Sequence, residues 1–200
     1  MYCLYERCNV LSILIPTLEK RIVVLKKLEE FLNYQIDNFG VRGEVEILKL
    51  CDSGQQTTGA KRNELINKAS GKFCAFIDDD DWVSDTYIRD VTDVIRNVSE
   101  VDVIGFFGNV FFRGVYGGKM IHTTLCPNWT EHDKIYYRPP NHLNPVRTEI
   151  AKRYRFKNIT VSEDFFWSGD LKGSGMVSTE VYLGHKPLYM YRCNSSVKQL

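Results

Sequence analysis

Short apolar runs alternate with amphipathic helical patterns over the first half of the chain. Residues 10–15 and 72–77 are mostly apolar, as in strands buried on both faces, and residues 44–50 and 101–107 are further candidate strands. Strands that alternate with helices pair in parallel through right-handed crossovers. The sequence therefore predicts an α/β fold with a mostly parallel, Rossmann-like sheet flanked by helices.

Three helices are expected between these strands. The first carries an apolar stripe at spacings of three and four residues, comprising Leu18, Ile22, Leu25, Leu28 and Leu32. The second spans residues 60–70, turns Leu65, Ile66 and Ala69 inward, and ends at Gly71, a common C-terminal residue. Ser84 is a candidate N-cap for the third, whose inner face includes Ile88, Val91 and Val98.

The second half of the chain breaks this rhythm. Glycines and aromatic residues alternate between residues 105 and 118, which predicts a hairpin or bent strands. A chain of 200 residues with 44% hydrophobic content can bury one substantial core, so a single domain is expected.

Composition excludes several classes of partner and site. The net charge is only +1, from 26 basic and 25 acidic residues, so nucleic acid is an unlikely partner. The six cysteines lack the spacing of a zinc site, and we expect reduced, mostly buried thiols, Cys51 and Cys74 among them. With no signal peptide and no apolar window long enough to span a membrane, a cytoplasmic protein is predicted.

Four consecutive aspartates, residues 78–81, follow the third candidate strand. Two unit charges about 4 Å apart repel by roughly 1 kcal/mol in water and by more where water is excluded. A hard divalent cation would relieve this repulsion. The alternative is a solvated turn that caps the next helix.

The ends of three candidate strands carry polar residues. Pro16 and Thr17, Asp52, and the four aspartates all follow such ends. Ligands of open α/β sheets bind beyond the carboxyl ends of the strands. These residues are therefore expected to converge in one crevice.

Five segments together resemble a known family. They are residues 11–17 (LSILIPT), 51–54 (CDSG), 59–63 (GAKRN), 69–71 (ASG) and 76–82 (FIDDDDW). In this order they resemble family 2 glycosyltransferases, inverting nucleotide-sugar transferases of the GT-A fold, and the likeness continues through residues 162–164 (SED) and 187–192. The resemblance implies a single GT-A domain over residues 1–200, with a nucleotide-sugar half to about residue 104 and an acceptor half after it.

The resemblance also implies which residues bind the donor. They are Pro16, Thr17, Glu19, Asp52, Gly59, Arg62, Asp78 and Asp79. Asp52 would accept a hydrogen bond from N3 of a uracil or thymine ring, although a plain turn is the alternative for Asp-Ser-Gly. Arg62 suits a phosphate through its bidentate fork, whereas Lys61 is expected to be an ordinary solvated residue.

The metal and the general base are likewise implied by the resemblance. Asp80 would bind Mn²⁺ or Mg²⁺, and Asp81 would cap the next helix or face solvent. Asp164 would be the general base and Glu163 would orient it or the acceptor. On the residues alone, Ser162 could equally be the N-cap of a helix.

Two positions depart from the family pattern. Leu18 stands where many relatives place an aromatic residue that stacks on the base, and Asn194 stands where relatives often have a histidine near the phosphate. Of the four histidines, His142 is the one that merits a test. Trp129, Tyr136, Tyr137 and Trp167 are candidates for an acceptor platform or for simple core packing.

The leading hypothesis is transfer of a sugar from a UDP- or dTDP-sugar to an acceptor hydroxyl, such as that of a glycan. A phosphatase of the haloacid dehalogenase type is one alternative, because an aspartate motif after an apolar strand also fits its nucleophile. Trp82 and the late position of the motif count against it. A non-catalytic nucleotide-sugar binder is another alternative.

Overall fold

The computed structural model describes residues 9–193, whose strands form one mixed sheet. The strands are β1 (Leu11–Leu18), β2 (Val45–Asp52), β3 (Phe73–Phe76), β4 (Trp82–Val83), β5 (Val103–Phe112), β6 (Val115–His122), β7 (Thr130–His132), β8 (Ile135–Arg138), β9 (Val146–Arg147), β10 (Glu180–Leu183) and β11 (Tyr189–Cys193). The helices are α1 (Ile22–Asn38), α2 (Thr58–Lys68), α3 (Tyr87–Asn97), α4 (Thr148–Ala151) and α5 (Glu163–Gly173). A 3₁₀ turn, Glu19–Arg21, precedes α1.

The sheet confirms the predicted α/β class with a mostly parallel centre. Its order is β2-β1-β3-β9-β5-β6-β8-β7, and β10 and β11 pair in parallel with β5. β1 is parallel to both β2 and β3. β3 and β5 also run in one direction, because each is antiparallel to the short β9 between them.

Helices cover both faces of the sheet. Successive side chains of a strand point to opposite faces, and β1 shows this alternation. Leu11, Ile13 and Ile15 pack in a core with α1 and α3, whereas Leu14 packs in a second core with α2 and α5. The sheet is therefore buried on both sides at its centre, as continuous apolar strands require.

The predicted strands all form, but their limits differ. β1 continues through Pro16 to Leu18 instead of stopping at the proline. β3 pairs with β1 only as far as Leu14, and the Leu14 carbonyl accepts a bond from the Ile77 amide on that side. Pro16 has the same parity as Leu14, so its missing N–H falls where no ladder bond is needed.

The apolar stripe predicted for the first helix is correct only in part. Leu25, Leu28 and Leu32 are buried in α1, but Leu18 lies in β1 and Ile22 is exposed. The 3₁₀ turn before α1 has three residues per turn, so it breaks the phase of the helical pattern.

Two helix boundaries also need correction. α2 ends at Lys68, and Gly71 does not cap it. Gly71 instead lies against β1, where a Cβ would come within 2.6 Å of the Ser12 amide nitrogen. α3 begins at Tyr87 directly after Thr86, so Ser84 is not its N-cap, and the Ser84 carbonyl accepts the Tyr87 amide at 3.2 Å.

The remaining structural expectations have mixed outcomes. The glycine-rich segment forms the predicted hairpin of β5 and β6, with a register shift after Val110. Cys74 and Cys126 are buried, but Cys51 is exposed at the end of β2, which corrects the expectation for that residue. Within residues 9–193, no helix combines the length and apolarity needed to cross a membrane.

Candidate active site

The carboxyl ends of β1, β2 and β3 meet, as the sequence predicts. The Thr17 hydroxyl donates to Asp79 Oδ2 at 2.5 Å. This bond joins the end of β1 to the four aspartates after β3, residues 78–81, which we call the acidic loop. Lys61 on α2 donates to the Thr17 carbonyl at 2.6 Å and pairs with Asp52 at the end of β2. Lys61 is buried, so the expectation of a solvated residue was wrong, because two strand ends supply its partners.

The four aspartates alternate between enclosed and accessible positions. Asp79 and Asp81 are buried, whereas Asp78 and Asp80 are partly exposed. Arg21, in the 3₁₀ turn, binds Asp79 at 2.7 Å and Asp80 at 3.1 Å. Burial and the neighbouring charges of Asp78 and Asp79 raise the pKa of Asp80, against the opposing effect of Arg21.

Asp81 has a structural environment. Its carboxylate accepts hydrogen bonds from the Tyr189 hydroxyl at 2.8 Å and from the Arg192 amide at 2.7 Å. Burial and the charge of Asp78 raise the pKa of Asp81 well above its usual range. The expectation that Asp81 caps a helix or faces solvent was therefore wrong, since it anchors the acidic loop to β11.

Arg62 holds two acidic segments together. Its Nη2 atom donates to both carboxylate oxygens of Asp78, at 2.9 and 3.1 Å, and its Nε atom donates to Glu163 at 3.1 Å. The guanidinium lies over the Phe76 ring, 4.8 Å from its centroid. Burial opposes ionisation of Asp78, but the charge of Arg62 prevails and lowers the pKa of that carboxyl.

Two clefts flank this ion-paired cluster. The strand-end cleft, of about 430 Å³, contains Pro16, Thr17, Leu18, Arg21, Lys61, Asp79 and Asp80. The aromatic cleft, of about 490 Å³, contains Met120, Trp129, Tyr136, Arg138, His142, Asp164, Phe165 and Tyr191. Arg62, Asp78, Thr160 and Glu163 line both and form a shared wall.

The two acidic residues at the start of α5 face different clefts. Glu163 is buried and turned toward Arg62 in the shared wall, whereas Asp164 is a quarter exposed and opens to the aromatic cleft. Ser162 precedes them with a left-handed φ of 65°. The predicted helix start is correct, but the Ser162 side chain makes no capping hydrogen bond.

The structure brings together most of the residues predicted from the sequence. Pro16, Thr17, Arg62, Asp78, Asp79, Asp80 and Glu163 line the strand-end cleft, and Asp164 lies across the shared wall. Glu19 is exposed and lies outside the strand-end cleft. Gly59 also lies outside it and packs α2 against the chain near Lys157, with its amide bonded to the Ile159 carbonyl at 3.0 Å.

Asp52 forms the turn that was its alternative role. Its carboxylate accepts from the Gly54 amide at 3.1 Å and the Gln56 amide at 2.8 Å, besides pairing with Lys61. The amide bonds and Lys61 lower the pKa of Asp52, and the Lys61 contact is the largest cause. Recognition of a nucleobase by Asp52 stays a prediction.

The acidic loop can supply a divalent cation with one accessible carboxylate. Among residues 9–193, no cluster of three or more histidine, cysteine or acidic side chains has the arrangement of a metal site. Mg²⁺, however, is often held by one or two carboxylates together with substrate phosphates and water. Asp80 fits this role, because its side chain is 35% exposed and Arg21, its ion-pair partner in the described part of the chain, is itself 42% exposed.

The aromatic candidates divide between the core and the cleft. Trp167 is buried and stacked on Phe156 with centroids 4.9 Å apart, so it is a core residue. Trp129 and Tyr136 line the aromatic cleft, where Arg138 lies over the Trp129 ring at 4.6 Å. Tyr137 does not line it. His132 and His185 are exposed, whereas His122 and His142 are buried beside the cleft.

Sequence reasoning missed Arg21 and Tyr189 as partners of the acidic loop, and it missed the burial of Lys61. Arg21 and Tyr189 lie about 60 and 110 residues from the aspartates that they contact. An excess of negative charge at residues 78–81 was the available signal that nearby cations must exist, but it could not identify them. Asn194, the second departure from the family pattern, lies outside the described residues.

Comparisons with known proteins agree with this architecture. The family model "Glycosyl transferase family 2" matches residues 46–170, while no curated protein sequence matches the chain. Residues 1–349 of S. aureus TarS in complex with UDP-GlcNAc superpose with a TM-score of 0.63 at 16% identity, covering 94% of this chain and 59% of that one. The same fragment with UDP gives 0.62 at 16%, covering 92% and 60%, and TarS itself gives 0.57 at 16%, covering 92% and 36%.

This chain therefore spans less than two thirds of the TarS chains that it resembles. At such identity the likeness shows the fold, which is that of GT-A glycosyltransferases. The family model covers more than half of the chain, including the acidic loop and the start of α5. Because this match covers more than half of the chain, the chain belongs to glycosyl transferase family 2.

Proposed function

We propose that the protein transfers a sugar from a UDP- or dTDP-sugar to an acceptor hydroxyl, with inversion at the anomeric carbon. The observation that carries this proposal is the pair of clefts that meet at one wall, with accessible Asp80 on one side and accessible Asp164 on the other. A donor in the strand-end cleft would present its anomeric carbon at this wall. An acceptor in the aromatic cleft would approach from the opposite side.

Family membership favours this reading over a haloacid dehalogenase-type phosphatase. The structural likeness to TarS bound to UDP-GlcNAc supports a uridine nucleotide as the first donor to test. A glycan hydroxyl is the proposed acceptor, since the half-buried Trp129 and the exposed Phe165 line the aromatic cleft and can pack against a sugar ring. The cytoplasmic location stays a prediction.

Transfer with inversion requires a base on the acceptor side. Asp164 would take the proton as the acceptor O–H bond breaks and its oxygen bonds to the anomeric carbon. The bond from the anomeric carbon to the phosphate oxygen breaks, and its electron pair leaves with the nucleoside diphosphate. Glu163 is less suited to this role, because its side chain is buried and its carboxylate is already bound to Arg62.

The donor side must bind and neutralise a diphosphate. Lys61 and Arg21 are the cations that line the strand-end cleft apart from the shared wall. Mn²⁺ or Mg²⁺, held by Asp80 and the diphosphate, would offset the charge that develops on the leaving group. Arg21 would then exchange its contact with Asp80 for one with the donor, because the cation and the guanidinium compete for the same carboxylate.

Calorimetric titration tests this proposal. UDP, dTDP, GDP and CDP are titrated with and without Mn²⁺ into the wild type and into Asp80→Ala. We expect UDP or dTDP to bind in the presence of Mn²⁺ only, and Asp80→Ala to weaken that binding by at least about tenfold, since metal sites depend on their few carboxylates. Asp85→Ala is the matched control, because it removes an exposed aspartate shortly after the acidic loop.

Each outcome has a definite meaning. Metal-dependent binding of a uridine or thymidine nucleotide that Asp80→Ala removes supports the donor site. Equally tight binding without metal rejects the metal role and keeps the nucleotide site. Absence of binding by all four nucleotides overturns the transferase proposal.

A further inference from the structure

His142 lies on a hydrogen-bonded loop between β8 and β9. The loop bonds to itself, with the Asn141 amide donating to Asn144 Oδ1 and the Leu143 amide donating to Asn141 Oδ1, both at 3.0 Å. Asn144 in turn donates to the Ile104 carbonyl in β5 at 2.9 Å. The His142 carbonyl accepts the Phe76 amide at 3.1 Å, so its backbone is fixed to the strand that leads into the acidic loop.

The imidazole of His142 lies between two carboxylates. Its Nε2 atom is 3.4 Å from Asp78 Oδ2, and its Nδ1 atom is 3.7 Å from Asp164 Oδ2. The residue is only 6% exposed, and neither ring nitrogen makes a hydrogen bond within the described part of the chain. Buried polar atoms are normally paired, so this ring has unused hydrogen-bonding capacity directed at Asp164.

The two carboxylates differ in their other partners. Asp78 is bound by both oxygens to Arg62, which also neutralises Glu163. Asp164 has His142 as its close polar partner among residues 9–193. His122 on β6 is another titratable group beside His142, and burial keeps it neutral.

We propose that His142 is a positioning residue for the transfer reaction, which donates from Nδ1 to Asp164 and aims the free carboxylate oxygen at the acceptor hydroxyl. This inference rests on the proposed function, in which Asp164 is the base. A carboxylate on the first turn of a surface helix has several rotamers, and loss of one favoured rotamer lowers the rate of a proton transfer that depends on geometry. His142 selects that rotamer through a contact that tightens from 3.7 Å to hydrogen-bond length when the cleft is filled.

Conservative variants can separate the two sides of the ring. Asn places its amide nitrogen near the position of Nδ1, so His142→Asn keeps a donor toward Asp164. Gln reaches the position of Nε2 and keeps a donor toward Asp78 only. Leu fills the site and donates to neither. Asp164→Asn gives the rate without a base, and His132→Asn is the control at an exposed histidine.

The measurement is UDP release from the UDP-sugar that the wild type turns over fastest, starting with UDP-GlcNAc and with water as the acceptor. KM, kcat, Kd for UDP and the melting temperature are compared for all variants. We expect kcat to fall roughly 10- to 100-fold in His142→Leu and His142→Gln, with KM and Kd unchanged. His142→Asn should recover most of kcat.

The outcomes separate this inference from the proposed function. Equal kcat in wild type and His142→Leu overturns the inference and leaves the function intact. Equal loss in all three His142 variants, or loss that follows the melting temperature, shows a packing role and also overturns it. A wild type that releases no UDP from any UDP-sugar and binds none of the four nucleotides overturns the proposed function, and this inference with it.

Discussion

At the scale of single residues, Arg62 is the cation that links the two acidic parts of the site. It is a buried guanidinium that neutralises Asp78, 16 residues away, and Glu163, 101 residues away. Charge-assisted hydrogen bonds from a guanidinium fix geometry as well as charge. Arg62 thus joins the acidic loop to the start of α5 in the wall that the two clefts share.

Replacing Arg62 by methionine should cost the protein much of its stability. The change leaves two partly or fully buried carboxylates without their cation, and breaking such a pair typically costs about 3–5 kcal/mol. Urea unfolding measures the free energy of unfolding directly. Arg153→Met, at an exposed arginine, should change it by less than about 0.5 kcal/mol.

The same comparison can contradict this account. A loss below about 1 kcal/mol in Arg62→Met would mean that solvent reaches Asp78 and Glu163 and replaces the guanidinium. An equal loss in both variants would point to a general effect of removing positive charge.

Sequence motifs placed Arg62 and Lys61 near the crevice, but they did not identify the partners of either side chain. Arg62 was favoured over Lys61 as a residue of the crevice, but both side chains line the strand-end cleft and both are buried. Lys61 lies in α2, and its partners are the Thr17 carbonyl in β1 and Asp52 in β2. Such partners arise from tertiary packing, and the local sequence around Lys61 contains no trace of them.

At the scale of elements, close packing of α2 against the segment before α5 aligns the two halves of the site. Gly59 in the first turn of α2 lies against the Lys157 carbonyl, and a Cβ there would overlap that oxygen. A second link is the reciprocal pair of bonds between the Asn63 side chain and the Phe156 backbone, both at 2.9 Å. Gly59 therefore has a packing role whether or not it also approaches a donor.

Two glycine-to-alanine changes in helices should shift stability in opposite directions. Gly59→Ala must push α2 away from the Lys157 carbonyl, and such overpacking costs about 1–3 kcal/mol. Gly169→Ala, inside α5 with open space around it, should stabilise by roughly 0.5–1 kcal/mol because alanine favours a helix. Thermal unfolding of both variants beside the wild type is the measurement, and stabilisation by both would disprove the close contact at Gly59.

The elements of the first half could be predicted because their patterns are local. β1, β2, β3 and β5 all follow from apolar runs, and α1 to α3 from periodic apolar residues. The short strands β4, β7, β9, β10 and β11 could not be predicted, because none of them carries a run of four apolar residues like that of β3. Their pairing with β5 and its neighbours depends on residues distant in sequence.

At the scale of the whole molecule, one buried histidine should make stability depend on pH. His122 stacks on Phe106 with centroids 5.2 Å apart and contacts Asn144 through Nδ1 at 3.3 Å. Burial, followed by the charge of Arg138, lowers the pKa of His122 to about 3. Below the pKa of an unfolded histidine, about 6.5, the unfolded chain therefore binds a proton that the folded protein does not.

Stability should accordingly fall as the pH drops from about 6.5 toward 3. The contribution of His122 is greatest at neutral pH and declines by about 1.4 kcal/mol per pH unit in that window. His122→Phe keeps the stack on Phe106 and removes the titration. We therefore expect His122→Phe to gain stability relative to the wild type as the pH falls. The measurement is the free energy of unfolding of both proteins in urea at pH 7.5, 5.5 and 4.5.

A matched change at a solvated histidine completes this test. His132→Phe, at an exposed residue, should show no such trend with pH. A difference between wild type and His122→Phe that stays constant over the range would mean that the folded protein protonates His122 as readily as the unfolded chain does.

The fold class and the meeting of the strand ends could be predicted from the sequence, since both follow from the order of parallel units. The direction in which each acidic side chain points could not. Asp79 and Asp81 turn inward, and Asp78 and Asp80 outward, because Thr17, Arg21, Arg62 and Tyr189 select those orientations. Only the assembled chain supplies all four selecting groups.

The bonds between Asp81 and β11 affect when the acidic loop can fold during synthesis. Asp81 receives its two partners, the Tyr189 hydroxyl and the Arg192 amide, from residues more than 100 positions later. A ribosome synthesises the chain from its N-terminus, so the acidic loop exists long before these partners emerge. During translation the loop therefore cannot reach its final form until nearly all of the described chain has left the exit tunnel.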